Sequence, residues 1–381
     1  MRLLRARHRG QWGARTDQFA QRASRNEAFI CGCSATRGAV AGAKDATTII
    51  VTGDRDSRME RATVICSVKD EAPFLMEWIA YHKAIGFDDI IVASNDCEDK
   101  SDVLLDALCW EGIISHRHNI VPPGHDAQYT ALKDMPNNPL VLMSDWIACL
   151  DVDEYLNIEF GDGTVNCLLD QQNDVDAIVI LWRYFGSSNT ERWTHGSVLE
   201  RFVLSESEIQ PHNRYHKTLF RNNGKFLEMD AHYPRTHPKA DISLTNIVNT
   251  ENRLYDLSFL EDGSRRLAPL HDVSDMWTWK GACVNHYSVL TPDILAMKRY
   301  RGDNVPGRGD QKYAPNSWYV RVGDKNDVEE RSILRMIPGV RRWLAAMRSS
   351  PRIRDAETAA LAAYDELRAR VLAGNLPAGR P

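Results

Sequence analysis

The sequence predicts an α/β protein: a mostly parallel sheet with flanking helices. Three observations carry this. From Ala62 onward, short β-branched apolar runs alternate with stretches of helical period, the pattern that βαβ units leave in a sequence. The 381 residues are 43% hydrophobic and 26% charged, the composition of an ordinary globular chain able to bury a sizeable core. No apolar run reaches the ~18 residues that a membrane-crossing helix needs, so any membrane contact is expected to be peripheral.

The elements follow in order. ATVICSV (62–68) is a short β-branched apolar run, read as a buried strand. Phe74, Trp78, Tyr81 and Ile85 then recur at helical spacing, and Gly86 stops that helix. DIIVAS (89–94) is a second buried strand. SDVLLDALCWEG reads as a helix with Ser101 as its N-cap and Gly112 near its end. GIISHRH is a third strand, residues 126–135 a short helix, and DWIACLD a fourth strand. DAIVILWRYFG (176–186) is a strand that runs into an aromatic patch. Residues 200–235 read as shorter strands and loops, CVNHYSVL (283–290) as a strand, 292–300 as a helix and 355–373 as an Ala-rich amphipathic helix. The Gly-rich RGDNVPGRGDQ stretch between them reads as a surface connection, with a lid over bound ligand as the alternative.

The first 58 residues stand apart, with ten Arg and one Lys against five acids and no sustained period. A disordered extension or a translation start at Met59 accounts for them better than a transit peptide. The expected division is therefore an extension over 1–60, a main domain over 61–310 and a helical extension over 311–381.

A formal net charge of -5 favours neither nucleic acid nor an anionic membrane surface as partner. The eight cysteines include Cys31 and Cys33 but no C-x-x-C pair, and no secretory pattern is evident. A reduced, cytoplasmic chain is expected, with room for contact at the inner face of a membrane.

The chemistry concentrates in WIACLDVDEYL (146–156), where an apolar run ends in Asp151, Asp153 and Glu154. Ligands of open α/β sheets bind beyond the carboxyl ends of the strands. In extended chain, residues two apart point the same way, about 6–7 Å from each other. Such a pair of hard oxygen donors suits Mg²⁺ or Mn²⁺, which completes its shell with water and substrate phosphate. The acids thus predict a divalent cation, and the cation a phosphorylated substrate. Haloacid-dehalogenase phosphatases also place D-x-D after an apolar strand, but on the first strand and with a different residue where Tyr155 stands. The G-x-x-x-x-G-K-[ST] phosphate loop is absent from the chain.

Several stretches, in matching order over residues 62–305, resemble bacterial glycosyltransferases of the family 2-like group. They are TVICSVKDEAPFLMEWIAYHKAIGFDDIIVASNDCEDKSDVLLDAL, DWIACLDVDEYL, WRYFGSSNT, HKTLFR and NHYSVLTPDILAMKRYRG. The resemblance implies a GT-A fold over 61–310, with a Rossmann-like nucleotide-binding half and a mixed acceptor half. It implies a nucleotide-diphospho-sugar donor, a glycan or lipid-linked acceptor and a role in surface polysaccharide synthesis. Carried over residue by residue, Lys69, Asp70 and Glu71 would hold the donor nucleotide, and Asn95, Asp99 and Ser101 its base and ribose. Asp151 and Asp153 would bind the cation, with His286 completing the site. Lys298 and Arg301 would contact the diphosphate, and Glu154 would extend the signature towards the sugar.

The bottom-up chemistry agrees with these roles. Cleaving a sugar–diphosphate bond develops charge that a cation, Lys and Arg stabilise. Trp182 and Tyr184 offer flat faces for a sugar ring. For the base that deprotonates the acceptor, Glu191, Glu228, Asp230 and His232 all remain open. His212, His216 and His237 match no compact zinc spacing. Two alternatives to a transferase stay in view: a sugar- or nucleotide-binding module on a degenerate transferase fold, and a nucleotidyltransferase. The latter lacks the expected Gly-rich loop, since VKDEAPF stands in its place.

Overall fold

The computed structural model describes residues 60–374 except 173, 238, 240, 242–243, 257–272 and 304–307. Residues 1–59, with Cys31 and Cys33, and the middle of the RGDNVPGRGDQ stretch therefore lie outside the described residues. The fold is α/β, a mostly parallel sheet with flanking helices, as expected. Nine strands form its main sheet: β1 (Ala62–Val68), β2 (Asp89–Ser94), β3 (Ser115–His118), β4 (Trp146–Cys149), β5 (Glu154–Ile158), β6 (Ala177–Tyr184), β7 (His216–Arg221), β8 (Ile247–Asn249) and β9 (Ala282–His286). Their order is β3-β2-β1-β4-β7-β6-β9-β5, with β8 beside the start of β6. β3, β2, β1 and β4 run parallel, β7 runs antiparallel to both β4 and β6, and β9 returns parallel to β6.

Burial on both faces explains why β1 and β2 read as continuous apolar runs rather than alternating ones. Helix α1 (Ala72–Ala84) begins with Pro73 in its first turn and ends before Gly86, whose φ of +96° suits glycine. It does more than cover the sheet. Trp78 Nε1 donates to the Glu154 carbonyl (2.9 Å) and the Tyr81 hydroxyl to the Leu156 carbonyl (2.8 Å), so two aromatic side chains fasten α1 to β5.

Helix α2 (Ser101–Trp110) is not capped by Ser101. Lys100, in the left-handed region, precedes it without a side-chain cap. The fully buried Asp99 carboxylate accepts instead from Ser101 N (2.9 Å) and Ala72 N (2.8 Å), joining the starts of α1 and α2. Ser101 Oγ accepts from Glu71 N at 3.1 Å.

A second departure concerns the acids. Asp151, Val152 and Asp153 do not continue β4 but form a turn, closed by Glu154 N donating to the Asp151 carbonyl at 3.0 Å. The chain must turn there because β5 pairs with β9 at the far end of the sheet, not with β4. The C-terminal stretch is likewise no appendage. It belongs to the same compact unit as the sheet. Helices over Ile337–Arg348 and Pro351–Leu372 pack on α1 and α2, and Tyr364 meets Phe74 edge-on at 6.4 Å.

His82 is entirely buried on α1, its Nδ1 2.9 Å from the Trp78 carbonyl. Burial pushes its pKa down to about 3. An unfolded histidine titrates near 6.5, so on acidification from there the unfolded chain gains a proton that the native state refuses. Stability should therefore fall as pH drops from about 6.5 towards 3, by up to about 1.4 kcal/mol per pH unit for this group. Urea unfolding across that range should show a shallower slope in His82→Phe; an equal slope would place the effect elsewhere.

Candidate active site

A cleft opens beyond the carboxyl ends of β1, β2, β4, β6 and β9, where an open α/β sheet binds its ligands. Lys69 and Glu71 enter from the β1–α1 turn, Asn95 from the end of β2, Asp151 and Asp153 from the β4–β5 turn, Trp182 from β6 and His286 from the end of β9. Lys298 and Arg301 enter from the helix α3 (Pro292–Arg301). Residues separated by more than 200 positions thus share one wall.

Each acid of the D-x-D turn is paired with a lysine. Lys298 Nζ, buried, donates to Asp153 Oδ2 (2.5 Å) and to the Ser288 carbonyl (2.8 Å). Burial alone would raise the pKa of Asp153, but Lys298, His286 and Arg301 overrule it and hold the carboxyl far below the usual range. Lys217 Nζ, reaching in from β7, lies 3.2 Å from Asp151 Oδ2 and 2.9 Å from Glu154 Oε2. Its burial disfavours the charge, yet Asp151 and Glu154 outweigh that and keep it protonated. Asp151 also accepts from Gln128 Nε2 (2.7 Å), and its side chain remains one-third exposed to the cleft. Arg301 pairs with Glu71 and donates to the Lys69 carbonyl (3.1 Å), tying α3 to the β1–α1 turn.

The sheet register sets Tyr184, His286 and Glu154 side by side on adjacent strands. His286 lies under Trp182 (ring centroids 4.3 Å apart), and its Nε2 is 3.7 Å from Asp153 Oδ1. Burial drives its pKa down to about 4 against the pull of Asp153, so it is a neutral imidazole. His286 Nδ1 has no hydrogen-bond partner.

Some expected residues lie elsewhere. Asp99 is enclosed between the starts of α1 and α2, both oxygens taken by backbone N–H groups, and does not reach the cleft. Glu154 is fully buried beneath it, accepting from Asp151 N (2.8 Å) and facing Lys217. Tyr184 is buried behind His286, rings 5.3 Å apart, and offers no open face to a sugar. Of the base candidates, Glu191 is exposed outside the cleft, Asp230 does not line it, and the Glu228 side chain lies outside the described residues. His232 does line it. His212 is held by Glu206 (2.9 Å), and no zinc-like cluster forms from His212, His216 and His237 among the described residues.

Gln128, Lys217, Lys312, Tyr313 and Tyr319 complete the site and were not singled out by sequence. Lys217 did carry a signal: a lysine inside the strand HKTLFR, buried on nearly every position, needs an anionic partner. Lys312 lies about 5 Å from the ring centres of both Tyr313 and Tyr319 and pairs with Asp303 at 2.9 Å. No spacing in the chain announces this group.

The donor set suits a hard divalent ion: carboxylate oxygens from Asp151 and Asp153 and the neutral His286. These three do not converge as a ready cluster among the described residues, and both acids already face an ammonium. Mg²⁺ and Mn²⁺ commonly take only one or two carboxylates, water and phosphate filling the remainder, so the residues present fit such an ion.

The Asp153–Lys298 pair yields a direct test. Lys298→Met strands a buried carboxylate and Asp153→Asn a buried ammonium, each expected to cost about 3–5 kcal/mol in urea unfolding. The double variant should be more stable than either single one. Simple addition of the two losses would show the pair to be uncoupled.

Compared with known proteins, residues 64–282 match the family model described as glycosyltransferase family 92. A glycosyltransferase family 92 protein of Ricinus communis is 25% identical over 296 residues, covering 72% of this chain and 47% of that protein. The chain thus spans about half the length of that relative. Among solved structures, TarS of S. aureus is 13% identical over 82% of this chain and 92% of its own, with a TM-score of 0.29. The mannosyltransferase Ktr4p of S. cerevisiae is 10% identical over 34% and 41%, with a TM-score of 0.22. Likeness at that level carries no argument here. The resemblance read from the sequence holds at the level of glycosyltransferase, with family 92 rather than the family 2-like group as the match. The matched segment covers more than half of the chain and holds the β1–α1 turn, both D-x-D acids and Lys217; the chain belongs to glycosyltransferase family 92.

Proposed function

We propose that the chain is a metal-dependent glycosyltransferase. It would move a sugar from a nucleotide-diphospho-sugar to a hydroxyl of a glycan or lipid-linked acceptor, as in surface polysaccharide synthesis. One observation carries this reading: the D-x-D acids, three basic side chains (Lys298, Arg301, Lys312) and an indole face line a single cleft. That is the inventory a diphosphate leaving group beside a sugar requires.

Lys69, Glu71 and Asn95 line the side of the cleft at the ends of β1 and β2, and receive the nucleoside. Lys298 and Arg301 face the diphosphate and offset the negative charge that grows on it as the glycosidic bond breaks. Asp151, Asp153 and His286 hold the divalent cation, which when bound supplies further charge neutralisation to the same diphosphate. Trp182 presents its ring to the sugar. His232 is the base candidate on the cleft wall: its Nδ1 lies 3.3 Å from the His216 carbonyl, and donation there leaves Nε2 with a lone pair. Burial pushes its pKa well below the usual histidine range, so the ring rests unprotonated, the form from which a base must start.

The test is calorimetric titration with UDP, GDP and TDP, each with and without Mn²⁺, followed by donor hydrolysis and transfer assays. At least one nucleotide should bind more tightly with Mn²⁺, and Asp153→Ala should weaken that binding tenfold or more. Absence of binding by all three would defeat the donor assignment. Binding without turnover of any donor would identify a sugar-nucleotide module instead. Full transfer by folded Asp151→Ala and Asp153→Ala variants would remove the acids from the mechanism.

A further inference from the structure

Outside the cleft lining, three side chains converge that the cleft does not use. His116 and His118 stand two apart on β3, the edge strand of the sheet, and Asp106 reaches down to them from α2. Asp106 Oδ1 lies 2.7 Å from His116 Nδ1 and 3.3 Å from His118 Nε2, and the two imidazole rings are 4.6 Å apart. Among the described residues, this is the group whose ligand atoms all fall within 4.8 Å of one another.

The geometry points to a transition-metal site of the zinc class at Asp106, His116 and His118, separate from the D-x-D cleft. Two imidazoles and one carboxylate are borderline donors, which favour Zn²⁺ over the Mg²⁺ or Mn²⁺ expected in the cleft. Tetrahedral zinc at about 2.0–2.1 Å from its ligands sets them roughly 3.3 Å apart. The His118–Asp106 distance already matches, and Asp106, more than half exposed, is free to open its shorter contact with His116 to the same spacing. His116 is prepared for the role. Its side chain is almost fully buried, and its Nε2 is anchored to Ser94 Oγ at 2.8 Å, which fixes the ring and turns Nδ1 to the shared point. Such an outer partner is what orients a metal-binding histidine. Burial also pushes its pKa down, in the direction that favours the unprotonated ring a metal requires. Water would fill the remaining position, since His118 and Asp106 face solvent.

A metal there would staple α2 to the exposed edge of the sheet. It would also stiffen the end of β2, because Ser94 directly precedes Asn95 of the cleft. The test is calorimetric titration of the full chain with Zn²⁺ alone, free of chelators, together with its thermal unfolding. One site of micromolar or tighter affinity is expected, with a rise in Tm, and Mg²⁺ should not compete for it. His118→Ala and Asp106→Asn, both at exposed side chains, should each weaken binding tenfold or more and abolish the rise. Absence of a Zn²⁺ isotherm in the parent protein, or an unchanged one in His118→Ala and Asp106→Asn, would overturn the site.

Discussion

Two buried lysines, each paired with acids of one turn, hold the centre of this molecule in place. Lys298 on Asp153 and Lys217 on Asp151 and Glu154 join α3 and β7 to one short turn. Neither lysine nor Glu154 would tolerate burial alone, because an unpaired charge in such surroundings costs several kcal/mol. The acids therefore require the lysines, and the lysines fix where β7 and α3 can lie. The D-x-D turn is thus the electrostatic keystone of the fold as well as part of the cleft lining.

Much of the scaffold was legible before any coordinates. β1, β2 and α1 follow from continuous apolar runs and helical spacing, since burial on both faces leaves little room for polar residues. The β4–β5 turn was not legible. WIACLDVDEYL reads as one strand running into acids, because nothing local says that EYLNI pairs with a strand more than 120 residues later. The α2 cap fails for a similar reason: Ser101 has the right residue type, but a distant requirement, the unpaired N–H of Ala72, draws Asp99 into the capping role.

The site divides along the same line. Lys69, Glu71, Asn95, Asp151, Asp153, Trp182, His232, His286, Lys298 and Arg301 all line the cleft, most of them singled out by the glycosyltransferase resemblance and the rest by residue type. Asp99, Glu154 and Tyr184 were equally plausible by type, but burial takes them out of reach, and burial of a single residue is not written in its neighbours. Gln128 sits on a short helix with an unremarkable sequence, and Lys312, Tyr313 and Tyr319 lie beyond a Gly-rich stretch that looked like a boundary. The segment that carries the last three packs against α3, and beyond it the C-terminal helices fold back over α1 and α2, long-range events without a local signature.

That folding back has a consequence for how the protein comes into being. A ribosome delivers the sheet first, and the acids of the turn with it. Lys298 and Arg301 emerge roughly 150 residues after Asp151, and Tyr319 and the helices that brace α1 later still. Until then the nascent chain carries Asp153 and Glu71 without their counter-charges and a cleft without one of its walls. Synthesis therefore places the capacity to hold an anionic ligand after the sheet that frames it.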